Sequence, residues 1–130
     1  MIVVAIIAII VMLALPTYAS YTTRAKVGES LSIAASAKIA VASTCQEDPT
    51  ILVLSNTAAG YDFTLTKYVF LIEVTGPCTA PIITITTQAT GAVPDPILTL
   101  TGDLPANAGR MDWTCVSDGL NVHVPKTCRS

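Results

Sequence analysis

Residues 1–25 read MIVVAIIAIIVMLALPTYASYTTRA. No polar side chain occurs before Thr17. A helix that is apolar on every side must be buried in lipid or against other helices, because it has no face to offer water. A bilayer span needs about 20 apolar residues, and Met1 to Leu15 covers only about 22 Å at 1.5 Å per residue. A cleaved export signal is a second reading, with Tyr18-Ala19-Ser20 resembling a cleavage site. The segment lacks the basic flank of such a signal, and the pattern after Pro16 stays helical.

Residues 17–44 are Ala-rich and carry no further proline. At 100° per residue, Val27, Leu31, Ala34, Ala35, Val41, Ala42 and Cys45 share one wide stripe. Lys38 interrupts it, and its stem can lie along the apolar surface while the ammonium reaches water. Ile33, Ala37 and Ala40 form a second patch, which suggests a neighbouring subunit or simply small side chains that tolerate exposure. Lys26, Glu29, Ser32 and Ser36 fill much of the rest. One helix from Met1 to about Thr44 follows, about 66 Å long if continuous. Pro16 removes a backbone donor, so a bend or local unwinding is expected there, and Gly28 is a second weak point.

The chain has 130 residues and a net charge of −2. That is room for one domain and gives no general case for binding nucleic acid. Residues 45–66 form an irregular connection. Alternation then predicts strands at Tyr68–Thr75, Ile82–Thr90, Ile97–Thr101 and Met111–Val116, with a short end at Asn121–Val124. Turn signals separate them at Gly76-Pro77, Gly91–Pro96, Gly102-Asp103, Asn107–Gly109 and Asp118-Gly119. The expected class is α+β: a long N-terminal helix packed on an antiparallel sheet of about four strands. Residues 1–26 would protrude. Residues 27–130 would form a head of helix 27–44, connection 45–66, sheet 68–116 and closing loop 115–128.

Four cysteines permit three pairings. The close pair Cys115 and Cys128 brackets a loop containing Gly119 and Pro125, which favours that bridge. Elimination leaves Cys45 with Cys78. Each bridge would stabilise the head by about 3–4 kcal/mol. No C-x-x-C spacing supports a metal site built from the cysteines and His123. Ser117, Asp118 and His123 carry the residue types of a hydrolytic triad, but Ser-Asp-Gly is ordinary turn composition. Asp95 and Asp103 are candidate cation contacts for which a turn role is the simpler reading. Arg110, Lys126 and Arg129 offer scattered positive charge for phosphates. No Walker, GxGxxG or HExxH motif is present, and no cofactor is expected.

The run MIVVAIIAI, the proline at Pro16, Tyr18 and Tyr21, and the TRA of Thr23–Ala25 resemble the N-terminal helix of type IVa pilins. The end WTCVSDGLNVHVPKTCRS, with Trp113 before the first cysteine, resembles their disulfide-closed terminus, and the family agrees with the Cys115–Cys128 pairing. The resemblance covers about a quarter of the chain at the helix, and the middle matches nothing in detail. It implies a basic leader, a methylated N-terminus and about six mature residues before Met1, which would lengthen the apolar run to about 21 residues, enough to span a bilayer. The family's glutamate would lie in that piece and falls on no residue here. Ala8 stands where many relatives have Gly.

The implied function is the major subunit of a type IV pilus, not an enzyme, polymerising through Met1, Val4, Ile6, Ile7, Ile10, Leu13 and Pro16. The implied partners are copies of itself in a helical homopolymer, the inner membrane before assembly, the pilus assembly machinery, host or abiotic surfaces, and DNA. The product would be an extracellular fimbrium serving attachment, twitching motility and DNA uptake. Ser130 becomes a candidate O-glycosylation site. The alternatives are a minor pilin, a type II secretion pseudopilin, or a membrane-anchored binding module that never polymerises.

Overall fold

The computed structural model describes residues 1–105 and 110–129. The expected turn at Asn107–Gly109 and the candidate site Ser130 lie outside the described residues. Helix α1 spans Ile2–Glu47, 46 residues and about 69 Å. It runs unbroken through Pro16 and Gly28, so the local unwinding expected at Pro16 does not occur. Pro16 still has no N–H for the carbonyl of Met12. The Thr17 hydroxyl leans back on the next carbonyl, Leu13 O, at 3.5 Å.

The helix ends three residues beyond the expected Thr44. Pro49 disfavours helical backbone at the residue before it, and Asp48 is extended at φ −137°. The Asp48 carboxylate then accepts from the Thr50 N–H (3.0 Å) and hydroxyl (2.6 Å).

The buried positions of α1 are Thr23, Val27, Ser30, Ala34, Ala37, Val41 and Cys45. Their spacing is three or four throughout, which keeps one narrow stripe on the sheet. This stripe is rotated from the expected one. Ala35 is exposed, while Ala37 is fully buried and Ile33 packs against the core. Two of the three residues of the second patch, Ala37 and Ile33, therefore belong to the packed face, and Ala40 stays half-exposed. Ser30 tolerates burial because its hydroxyl donates to Val27 O at 2.6 Å.

Among the described residues the strands are β1 (Val69–Thr75), β2 (Ile82–Thr87), β3 (Ile97–Asp103) and β4 (Asp112–Ser117). They form an antiparallel meander in the order β1-β2-β3-β4, the α+β architecture that the resemblance implies. Ile72, Ile83, Ile85, Leu98 and Leu100 point inward and meet Val27, Ala34 and Val41 of the helix in one core. The alanines let the helix approach the sheet closely. The opposite face carries threonines, with Thr84 opposite Thr99 and Thr101 opposite Thr114.

Two irregularities shape the sheet. A bulge in β1 lets both Val69 and Ile72 face the core and leaves Phe70 exposed. Gly102 faces inward where a Cβ would lie 2.8 Å from Pro81 and 3.2 Å from Trp113, so only glycine fits without a shift.

Residues 121–124 form a turn rather than the short strand expected there. The His123 N–H donates to Leu120 O at 2.8 Å, and the disulfide behind it folds the segment back on β4. Val124 is buried and Val122 is exposed because of this turn. A 3₁₀ turn, Lys126–Cys128, follows.

Candidate assembly interface

Residues 1–15 of α1 are exposed along their whole length. Twelve large apolar side chains between Met1 and Leu15 are exposed, and Ile2 is at 78%. They include Met1, Val4, Ile6, Ile7, Ile10 and Leu13. Covering them is worth on the order of 10–25 kcal/mol, taking about 1.5–3 kcal/mol per side chain and discounting for contacts along the helix. That equals or exceeds the whole net stability of a typical domain, about 5–15 kcal/mol. An isolated subunit in water is therefore not the working state of this surface. The helix is long and apolar enough to cross a membrane.

The apolar surface ends at a junction. Ile10, Leu13, Ala14, Thr17, Tyr18 and Tyr21 line an open apolar groove of about 630 Å³ along the helix. A second groove of about 420 Å³ lies between Pro16, Ser20, Tyr21 and Arg24 on the helix and Val122 of the C-terminal loop. Arg24 bridges the two elements. Its Nη2 and Nε donate to the Val122 carbonyl at 2.7 and 3.3 Å, across 98 residues of sequence. Local pattern carries no signal for such a contact.

Both covalent staples sit in the head. Cys45 bonds to Cys78, which ties the last turn of α1 to the β1–β2 connection. The Cys78 N–H also donates to Ile51 O at 2.9 Å. Cys115 bonds to Cys128 and closes the C-terminal loop onto β4. Arg129 Nε donates to Val124 O at 3.2 Å within that loop.

Several of the remaining candidate residues are occupied structurally. Asp95 organises the β2–β3 connection: its carboxylate accepts from the N–H groups of Ala89 and Thr90, both at 3.0 Å, and from the Thr90 hydroxyl. The Asp118 carboxylate accepts from the Ile97 N–H at 2.7 Å, and the Ser117 hydroxyl accepts from the Gly119 N–H at 3.0 Å. His123 Nδ1 is buried without a hydrogen bond among the described residues, so neither pairs with it there as a triad would. Arg110 pairs with Asp112 at 3.2 Å. With Arg129 turned onto Val124, Lys126 is the member of the expected basic trio without such a contact among the described residues. No group of three His, Cys, Asp or Glu gathers among the described residues.

Comparison with known proteins adds two findings. The profile of the pilin family, bacterial filament proteins, matches residues 23–129. Fimbrial protein EcpC of Eikenella corrodens is 36% identical over 134 aligned residues, spanning 100% of this chain and 86% of that protein.

Proposed function

From the premise that this chain belongs to the pilin family, the structural subunits of bacterial filaments, we propose that it is the major subunit of a type IV pilus. Residues 1–22 are its polymerisation element. Met1, Val4, Ile6, Ile7, Ile10 and Leu13 form the contact surface, and Pro16 marks its end. Residues from about 23 onward form the head, which sets the surface of the fibre.

One observation carries this reading. The same helix is packed on one stripe from Thr23 to Cys45 and exposed on all sides before it. A binding module with a simple anchor would need only the apolar half. A subunit that leaves lipid for a filament core needs an apolar surface that suits both, joined rigidly to a head. Before assembly the apolar half resides in the inner membrane; afterwards it packs against copies of itself in an extracellular fibre. Attachment and twitching motility are the expected work of such a fibre. DNA uptake draws no support from the basic trio, two of whose members are already engaged.

The test is intact mass spectrometry, without reduction, of filaments sheared from producing cells. A dominant species containing this chain with both disulfides formed supports the major-subunit reading. Its presence as a trace beside another dominant pilin would make it a minor pilin. Its absence from filaments and retention in membranes would overturn polymerisation altogether.

A further inference from the structure

Three segments of the head surround α1 at the level where the helix enters it. Tyr68, just before β1, lies beside Lys26. The β2–β3 connection reaches the helix at Gly91, where a Cβ would sit 3.3 Å from Thr23 Oγ1 and 4.0 Å from Lys26 Nζ. The C-terminal loop reaches it at Val122, held by Arg24. These segments make a rim facing the apolar half of the helix.

The rim has an unusual composition. Tyr68 carries two ammonium groups near one ring: Lys26 Nζ lies 5.4 Å and Lys67 Nζ 5.3 Å from its centroid. Two like charges share a single aromatic ring, and neither lysine has a carboxylate within ion-pair distance among the described residues. Asp95, the carboxylate of the neighbouring connection, is turned inward onto Ala89 and Thr90. Glu29, one turn further along α1, makes no ion pair with Lys26. Exposed apolar side chains stand in the same segments: Val93 is 87% exposed, and Leu120 and Val122 are also open. Tyr18 and Tyr21 project from the helix just before the rim.

Unpaired lysines, tyrosines and isolated apolar tips are the residues that settle at a membrane–water boundary. The spacing agrees. If hydrocarbon ends near Leu15, Tyr18 and Tyr21 stand about 5–9 Å beyond it and Lys26 about 16 Å beyond it at 1.5 Å per residue. Helical side chains slant toward the N-terminus, which brings the Lys26 ammonium back toward the headgroups. The Lys67 ammonium shares that level through Tyr68, so both ammonium groups can meet anionic phosphodiesters. We propose that this rim is a lipid-headgroup seat: Lys26 and Lys67, beside Tyr68, hold the phosphates of anionic phospholipids while the apolar half of α1 is in the membrane. The seat rests on the membrane-resident stage of the proposed function. It fixes the orientation of the head on the bilayer before the subunit is withdrawn.

The test uses the full chain, with lysine side chains labelled with ¹⁵N, reconstituted in phosphatidylglycerol vesicles. Dephasing of the lysine Nζ signal by lipid ³¹P in solid-state NMR reads contact directly. The chain's lysines are Lys26, Lys38, Lys67 and Lys126. The expected result is dephasing of the half of the signal that belongs to Lys26 and Lys67. It should be lost in the Lys26→Gln, Lys67→Gln double variant and kept when Lys38 and Lys126 are changed to Gln. Dephasing that survives the first double variant would overturn the proposal. So would equal dephasing in phosphatidylcholine, since depth alone would then explain the contact. Dephasing that appears only with added duplex DNA would reassign the rim to a nucleic-acid backbone. Vesicle flotation separates the premise from the inference: a chain that does not float with the lipid overturns the membrane-resident stage itself, whereas one that floats without dephasing overturns only the seat.

Discussion

Strand β1 is an edge strand, and an open edge invites pairing with another chain. Asn56 closes it. Its Nδ2 donates to Ile72 O at 2.8 Å, and its Oδ1 accepts from the Val74 N–H at 2.7 Å. The carbonyl of residue 72 and the amide of residue 74 lie on the same outer edge, so one side-chain amide replaces the peptide group of a missing neighbour strand. Asn56→Ala removes both bonds. At about 1 kcal/mol net for each, with an added penalty because the backbone groups are partly buried, the cost is about 2–3 kcal/mol. The chain in detergent micelles, its disulfides intact, should show that loss in a urea titration.

Hydrogen exchange locates the cause. The Val74 amide should exchange about 30-fold or more faster in the variant, the factor that corresponds to about 2 kcal/mol. The Glu73 amide, which points toward β2, should change only as far as global stability does. A loss below about 0.5 kcal/mol would refute the reasoning, since surface changes of no consequence reach that size. A Val74 amide that stays as protected as Glu73 in the variant would refute it too, because the lost acceptor would then not be what shields it. The edge matters for a filament subunit in particular. Heads are crowded in a fibre, and an uncapped edge there pairs with the wrong surface.

Four further outcomes are expected. Ile6→Asp places a carboxylate in an apolar contact surface at a cost of about 3 kcal/mol, and it should abolish sheared filaments while both disulfides still form. Gly28→Ala should stabilise the subunit by about 0.5–1 kcal/mol in the same urea titration, because a Cβ there meets nothing within 4 Å and a glycine inside a helix is costly. Replacing Cys115 and Cys128 together by Ser should cost about 3 kcal/mol from loop-closure entropy alone; an unchanged midpoint would show that the unfolded state is already restricted there. The hydrogen bonds from the Thr50 hydroxyl and N–H hold the Asp48 carboxyl below the ordinary aspartate range. Its small contribution is present above the ordinary carboxylate pKa and is lost as pH falls through the lowered value, so the Asp48 carboxyl titration followed by NMR should move upward in Thr50→Ala.

The long helix and the sheet are legible in the chain because each is written in a period: an apolar run followed by a helical stripe, then alternation by twos. The misreadings occur where the period is short or carried by small residues. Asn121–Val124 alternates over only four residues, and the covalent closure at Cys128 overrides so short a preference. Ala35 and Ala37 look alike in a wheel of alanines, so the wheel misplaced the stripe by part of a turn; the true arc passes through Ser30, whose hydroxyl satisfies itself on Val27 O. The β1 bulge breaks alternation at Phe70, a departure that needs the partner strand to be seen. Asn56 and Arg24 act on groups 16 to 98 residues away, and no local pattern announces either.

The two halves of α1 should separate genetically. Val27, Ala34, Ala37 and Val41 are fully buried in the head, so substitutions there act on folding. The apolar side chains from Met1 to Leu15 stand exposed outside the head, so substitutions there act on assembly and leave the head intact. This division also says what drives polymerisation under the proposed reading. Moving the apolar half from lipid to a core of identical helices exchanges one apolar surrounding for another, so the large hydrophobic term that forbids free subunits in water nearly cancels. The direction of transfer is then set by packing between helices and by contacts between heads, terms of a few kcal/mol each. A balance that fine can be tipped toward extension or toward return to the membrane, whereas burial from water could not be reversed so cheaply. The exposed Phe70 and Leu71 of β1 and the exposed Val116 of β4, on opposite edges of the sheet, are where head-to-head contact has apolar surface to use.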